Sequence, residues 1–183
     1  MPHYRRYFVP GATYFFTAVT HERRPILTTE IGRDILRRSI RKVQKKRPFE
    51  IVAIVLLSEH IHTVWTLPPG DPDFSIRWAQ IKESFTRLRL ASDGLEGSVA
   101  TSRTLHRERG VWQRRFWEHL CRDEADLKRC VDYLHWNPVK HGLVRSVREY
   151  PWSSFHRFVR AGEYDLEWGR TDPCPEALSA AGE

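Results

Sequence analysis

Residues 50–67 read EIVAIVLL, then SE, then HIHTVWTL. Two short runs of apolar, β-branched and aromatic residues flank a two-residue polar break, the pattern of adjacent strands joined as a hairpin. The first run is almost continuously apolar, which suits a strand covered on both faces. Pro68-Pro69-Gly70 ends the second. Whatever else the chain forms must therefore pack around this pair.

The flanking patterns supply the rest. TYFFTAVT at 13–20 is a strand by composition. Residues 30–47 place Ile31, Ile35, Leu36, Ile40 and Val43 along one stripe, with Arg33, Arg37, Arg38, Arg41, Lys42 and Lys45 around it, and Pro48 stops this helix. Phe74, Trp78, Ile81, Phe85 and Leu88 recur at helical spacing and are expected in the core. The stretch 91–110 reads as a loop, and 111–120 (VWQRRFWEHL) is expected to contain a strand. Asp123 is a candidate N-cap for a last helix through Leu127, Cys130, Val131 and Leu134, which Pro138 should end near Asn137. The order strand, helix, strand, strand, helix, strand, helix matches an α+β, ferredoxin-like split βαβ fold, an antiparallel sheet with helices packed against it. We expect one domain over residues 1–160, the segment 141–160 being a small addition to it. A polar tail rich in Gly, Pro and Ala follows over 161–183.

Thirty Lys and Arg against 23 Asp and Glu leave a net charge of +7, which favours a polyanionic partner. No apolar run approaches the roughly 20 residues of a membrane span, and the start MPHYRR is unlike a signal peptide. Cys121, Cys130 and Cys174 show no Cys-x-x-Cys spacing, as suits a reducing compartment; a cytoplasmic location is expected.

Two constellations carry chemistry. His60 and His62, two apart on a strand, project from the same face and can reach one metal ion. With nine histidines in the chain such a pair is common by chance, and two ordinary strand histidines would look the same. Tyr133 and Asn137 are four apart on a helix and share a face. Asn137 offers a carbonyl oxygen that would complete a His, His, Asn ligand set suited to Mg²⁺ or Mn²⁺, although a helix end before a proline also explains an Asn. Tyr133 would stand beside any phosphate held there, as a nucleophile or as a half-buried structural tyrosine. Basic and aromatic residues interleave at Tyr4, Arg5, Arg6, Tyr7 and Phe8, and at Trp112, Arg114, Arg115, Phe116 and Trp117. Guanidinium groups can hold phosphates while rings stack on unpaired bases, although a half-buried strand gives the same alternation.

The pair His60-Ile61-His62, with the segment Tyr133-Leu134-His135-Trp136-Asn137-Pro138-Val139-Lys140-His141-Gly142-Leu143-Val144, resembles the REP-associated tyrosine transposases. These are single-tyrosine members of the His-hydrophobic-His nuclease superfamily. Tyr4–Tyr7, Trp112–His119 and Trp152–His156 are similar too, so the resemblance runs over about residues 4–160. It implies cleavage and rejoining of single-stranded DNA beside a REP-type hairpin through a 5′-phosphotyrosine link. Tyr133 would be the nucleophile, and His60, His62 and Asn137 the ligands of Mg²⁺ or Mn²⁺. Arg5 and Arg6 would read a short guide at the hairpin foot, and Tyr7, Trp112, Arg114, Arg115 and Lys140 would join the DNA-binding set. The superfamily includes monomers and homodimers. Ser58-Glu59 departs from the Pro-Asn or Pro-Asp that often precedes the histidine pair, which leaves the preferred metal open. Two other readings stand beside this one. The chain could be a non-catalytic single-stranded nucleic-acid-binding regulator on the same fold, or a metal-dependent hydrolase in which Tyr133 is only structural.

Overall fold

The computed structural model of the chain describes residues 6–93 and 109–169. Its elements are β1 (Thr13–Val19), α1 (Glu30–Lys46), β2 (Glu50–Leu56), β3 (His60–Thr66), α2 (Phe74–Asp93), β4 (Trp117–Leu120), α3 (Glu124–Lys140) and α4 (Phe155–Arg160). The four strands form one antiparallel sheet in the order β2-β3-β1-β4. That order and the alternation of elements are those of the expected α+β, ferredoxin-like sheet.

The period of two along the strands sorts side chains between two cores. Tyr14, Phe16, Ala18, Ile61 and Trp65 face α1 and α2, where they meet Leu36, Ile40, Val43, Trp78, Ile81 and Phe85. Trp65 stacks on Trp78 with ring centroids 4.6 Å apart. Phe15, Val55 and Val64 face the other way and meet Cys130, Val131, Tyr133 and Leu134 of α3. The sheet is thus covered on both sides, and β1 and β3 run through its middle.

Capping follows the sequence. The Thr29 hydroxyl accepts the Gly32 N–H at the start of α1, and the Asp123 carboxylate accepts the Asp126 N–H at the start of α3. Arg77, fully buried on α2, grips Asp71 with both terminal nitrogens, at 3.1 and 2.7 Å, and also donates to the Pro48 carbonyl.

Two local expectations need correction. Pro138 does not end α3 near Asn137; the helix continues to Lys140. Proline costs an interior helix one N–H bond, but here it sits in the last turn, where α3 already packs on the sheet. The helix stops at Gly142, whose φ of +66° is the left-handed conformation, and the Leu143 N–H closes the end on the Pro138 carbonyl. The strand expected within 111–120 is present as Trp117–Leu120, and Trp112 contributes an isolated bridge to Thr20. The 91–110 segment opens with the end of α2, and 94–108 lies outside the described residues.

Packing continues beyond α4. Tyr164 and Trp168 lie against Phe155, and Trp168 also meets Trp136 of α3. Residues 170–183 lie outside the described residues. Among the described residues, no helix is long and apolar enough to cross a membrane.

Candidate active site

His60 and His62 sit on the central strand β3, on the face turned to α3, and are almost wholly buried at 1% and 0% exposure. Their Nε2 atoms are 3.2 Å apart. Two nitrogens that share one ion at about 2.1 Å each, roughly 90–110° apart, lie about 3.0–3.4 Å from each other. Each ring's other nitrogen is engaged. His62 Nδ1 lies 2.9 Å from the Thr17 hydroxyl, directly across the β1–β3 pairing, and His60 Nδ1 lies 2.9 Å from Glu59 Oε1. Fixing Nδ1 leaves Nε2 as the ligand atom, the arrangement that orients metal-binding imidazoles. Burial, and then the neighbouring His62, push the His60 pKa down to about 4, so its ring is neutral and able to ligate near neutral pH. Burial alone would raise the Glu59 carboxyl, but the Ser58 hydroxyl and His60 outweigh it and hold it below its ordinary value.

α3 lays a stripe of residues across this pair. Tyr133, Asn137 and His141 follow one another at intervals of four, the same-face spacing of a helix. The Tyr133 ring is 5.8 Å from that of His62, and the His141 ring is 5.3 Å from that of His60. Asn137 stands between them on the stripe, four residues from each, and is completely buried. Tyr133 is 3% exposed, rests edge-on against Phe15, and accepts a 3.0 Å hydrogen bond from Lys140 Nζ at its phenol oxygen. The structure therefore gathers His60, His62, Tyr133, Asn137 and Lys140 into one locus. The donor set, two imidazoles and a buried carboxamide, fits a divalent cation.

Two participants are not obvious in the sequence. Thr17 joins the locus only through the register that pairs it with His62, and no local spacing reveals it. His141 has a signal, its place four residues after Asn137, but it lies beyond the expected helix end.

The residues expected to contact DNA separate into groups. Arg5 lies outside the described residues. Arg6 is tied down: Nε is 3.1 Å from Glu118 Oε1, Nη1 donates to the Ser75 hydroxyl, and the guanidinium lies over the Phe116 ring. Tyr7 is exposed. Trp112 is buried against Phe85, with ring centroids 5.1 Å apart, so its ring serves packing and offers no open face for stacking. Arg114 and Arg115 are exposed. The neighbouring Gln113 N–H bonds to the Val19 carbonyl, and Val19 pairs with His60, which brings this basic loop to the histidine end of β1.

His119, Asp126 and Cys130 form another cluster whose ligand atoms lie within 4.8 Å of one another. Asp126 is already used: Oδ2 meets His119 Nε2 at 2.9 Å and accepts the Arg122 N–H, while Oδ1 accepts from Arg129. This network pins the start of α3 to β4 and is structural.

The family model for IS200-like transposases matches residues 8–136 of the chain. Over 169 residues the chain is 46% identical to the REP-associated tyrosine transposase of Escherichia coli K12, covering 92% of this chain and 91% of that protein. The chain belongs to the REP-associated tyrosine transposases. Its identity to the Haemophilus influenzae member is 43%, over 92% of this chain and 94% of that one. A solved structure of a REP-associated tyrosine transposase bound to a REP hairpin superimposes with a TM-score of 0.77, at 43% identity and 96% coverage of both chains. The two-core sheet described above is thus the fold of this transposase family, and the histidine–tyrosine locus lies within it.

Proposed function

We propose that the chain cuts and rejoins single-stranded DNA through a covalent tyrosine link, with Tyr133 as nucleophile and a divalent cation, Mg²⁺ or Mn²⁺, held by His60, His62 and Asn137. The observation that carries this reading is the placement of the Tyr133 ring against His62, whose Nε2 converges with that of His60. The preferred substrate is a single strand bearing a REP-type hairpin, as the relative bound to such a hairpin suggests.

The ion, when bound, would polarise a non-bridging phosphate oxygen and offset the charge that builds there during attack. Every other contribution comes from the chain. Thr17 and Glu59 hold the two imidazoles in orientation. The wall of Phe15 and α3 keeps the phenol in a fixed position. Tyr133 attacks phosphorus, the bond to the 3′-oxygen breaks, and the 5′-phosphate remains on the tyrosine. The phosphoester bond is exchanged rather than hydrolysed, so a 3′-hydroxyl can reverse the step without ATP. The exposed Arg114 and Arg115, beside the histidine end of β1, would hold the backbone of the strand. Tyr7 would offer a ring to an unpaired base.

The test is incubation with labelled, hairpin-bearing single strands and Mn²⁺, read on a denaturing gel. A protein-linked strand that disappears in Tyr133→Phe supports the proposal. Cleavage that survives the substitution would mean a hydrolase using water, and binding without cleavage a regulatory module.

A further inference from the structure

Lys140 stands closer to chemistry than a phosphate clamp needs to. Its Nζ is 3.0 Å from the Tyr133 phenol oxygen and 5.0 Å from the ring centroid, so it addresses the oxygen end of the tyrosine rather than the ring face. Helical side chains lean toward the N-terminus, so a lysine two turns after Tyr133 reaches back to it. The helix is closed immediately beyond by Gly142 and Leu143, which fixes Lys140 in the last turn, where a cation is favoured by the helix dipole.

We infer that Lys140 is a further catalytic residue, one that holds positive charge at the phenol oxygen of Tyr133 while the tyrosine–phosphorus bond forms and breaks. The inference rests on Tyr133 being the nucleophile. In cleavage, the phenol gives its proton to water, its oxygen bonds to phosphorus, the bond from phosphorus to the 3′-oxygen breaks, and that oxygen takes a proton from water. In rejoining, a 3′-hydroxyl attacks and loses its proton to water, and the phenolate oxygen departs and regains one. No electrons are transferred. In both directions the phenol oxygen carries partial negative charge in the transition state. A donor already aimed at that atom stabilises the charge without reorganising, and the bond becomes charge-assisted as the charge grows. The locus thereby separates two tasks. The histidine–asparagine set addresses the phosphate, and Lys140 addresses the attacking and leaving oxygen.

The experiment uses the full chain, Mn²⁺ and a hairpin-bearing single strand. It reads the single-turnover rate of adduct formation at saturating DNA, the rate of rejoining, and Kd. Lys140→Met should slow both steps by about 100-fold, the usual effect of losing one donor at a developing oxyanion, with little change in Kd. Lys140→Arg should restore most of the rate. Replacing Tyr133 by 3-fluorotyrosine, a better leaving group, should recover rejoining in Lys140→Met far more than it accelerates the unsubstituted protein. A weakened Kd with full rate at saturation would make Lys140 a DNA clamp and overturn the inference. A rate loss that neither arginine nor fluorination relieves would also overturn it, in favour of a structural role. Tyr133→Phe is run alongside. An adduct persisting there refutes the nucleophile assignment itself, whereas an adduct lost there with Lys140→Met at full rate refutes this inference alone.

Discussion

Thr17 and His62 face each other across the β1–β3 pairing, with the threonine hydroxyl 2.9 Å from the imidazole Nδ1. A fixed sheet register thus sets the direction in which His62 points its other nitrogen. Thr17→Val keeps the shape of the side chain and removes the hydroxyl. Loss of such a supporting partner typically costs 10- to 100-fold in metal affinity, so the Mn²⁺ concentration giving half-maximal cleavage should rise by about that factor. An unchanged Mn²⁺ titration would show that the hydroxyl does not orient the ring.

Asn137 is fully buried between Tyr133 and His141 on the stripe of α3. If its carboxamide oxygen is a ligand, Asn137→Ala weakens metal binding and slows adduct formation, and raised Mn²⁺ recovers part of the rate. Asn137→Asp, which keeps an oxygen at the same place, should retain more activity than alanine at equal Mn²⁺. The ordering aspartate below alanine would contradict the ligand assignment.

Asp126 gives a pH-dependent stability term. Burial alone would raise its carboxyl, but the Arg122 N–H, His119 and Arg129 hold it below the ordinary value of 3.8. A carboxyl depressed in the folded state stabilises the fold above the unfolded pKa and loses that contribution as pH falls through the folded value. Urea unfolding of the native protein should therefore steepen in its pH dependence below about pH 4. Asp126→Asn should lose stability at pH 7, by about 1–3 kcal/mol for broken bonds to charged groups, and show a shallower acid limb. Equal acid limbs in the two proteins would remove Asp126 as the cause.

Phe16 is fully buried among Trp65, Phe74, Trp78 and Phe116, on the sheet face away from the histidines. Phe16→Ala should cost about 3–5 kcal/mol in urea unfolding, while leaving the Mn²⁺ dependence of the remaining folded protein unchanged. A shifted Mn²⁺ dependence would show that the two sheet faces are mechanically coupled.

Much of this fold is legible in the sequence because the strongest signals are local. The runs at 13–20, 50–57 and 60–67 and the stripes at 30–47 and 74–88 correspond to β1, β2, β3, α1 and α2 within a residue or two at most boundaries. α2 runs on to Asp93, because nothing in Ala91-Ser92-Asp93 breaks a helix outright. The Pro138 rule fails because it describes an isolated helix, whereas α3 is held by the sheet on one side and closed by Gly142. Tyr133 and Asn137 could be placed on one helical face by counting, and the two histidines on one strand face likewise. What counting cannot supply is the order of strands. Thr17 is therefore invisible as a partner of His62, and Trp112 reads as a possible base-stacking ring when it is in fact core. Interleaved aromatic and basic residues carry the same pattern whether the rings face DNA or Phe85.

The two halves of the proposed chemistry sit on different layers of the fold. Phenol and ammonium travel together on α3, while both imidazoles are fixed in the sheet. A small slide of the helix over the strands would alter the gap between the halves and leave each half's internal arrangement intact. Docking of one layer on another would then decide when a competent nucleophile meets its phosphate, and anything that braces or loosens that seam would act as a throttle on strand exchange.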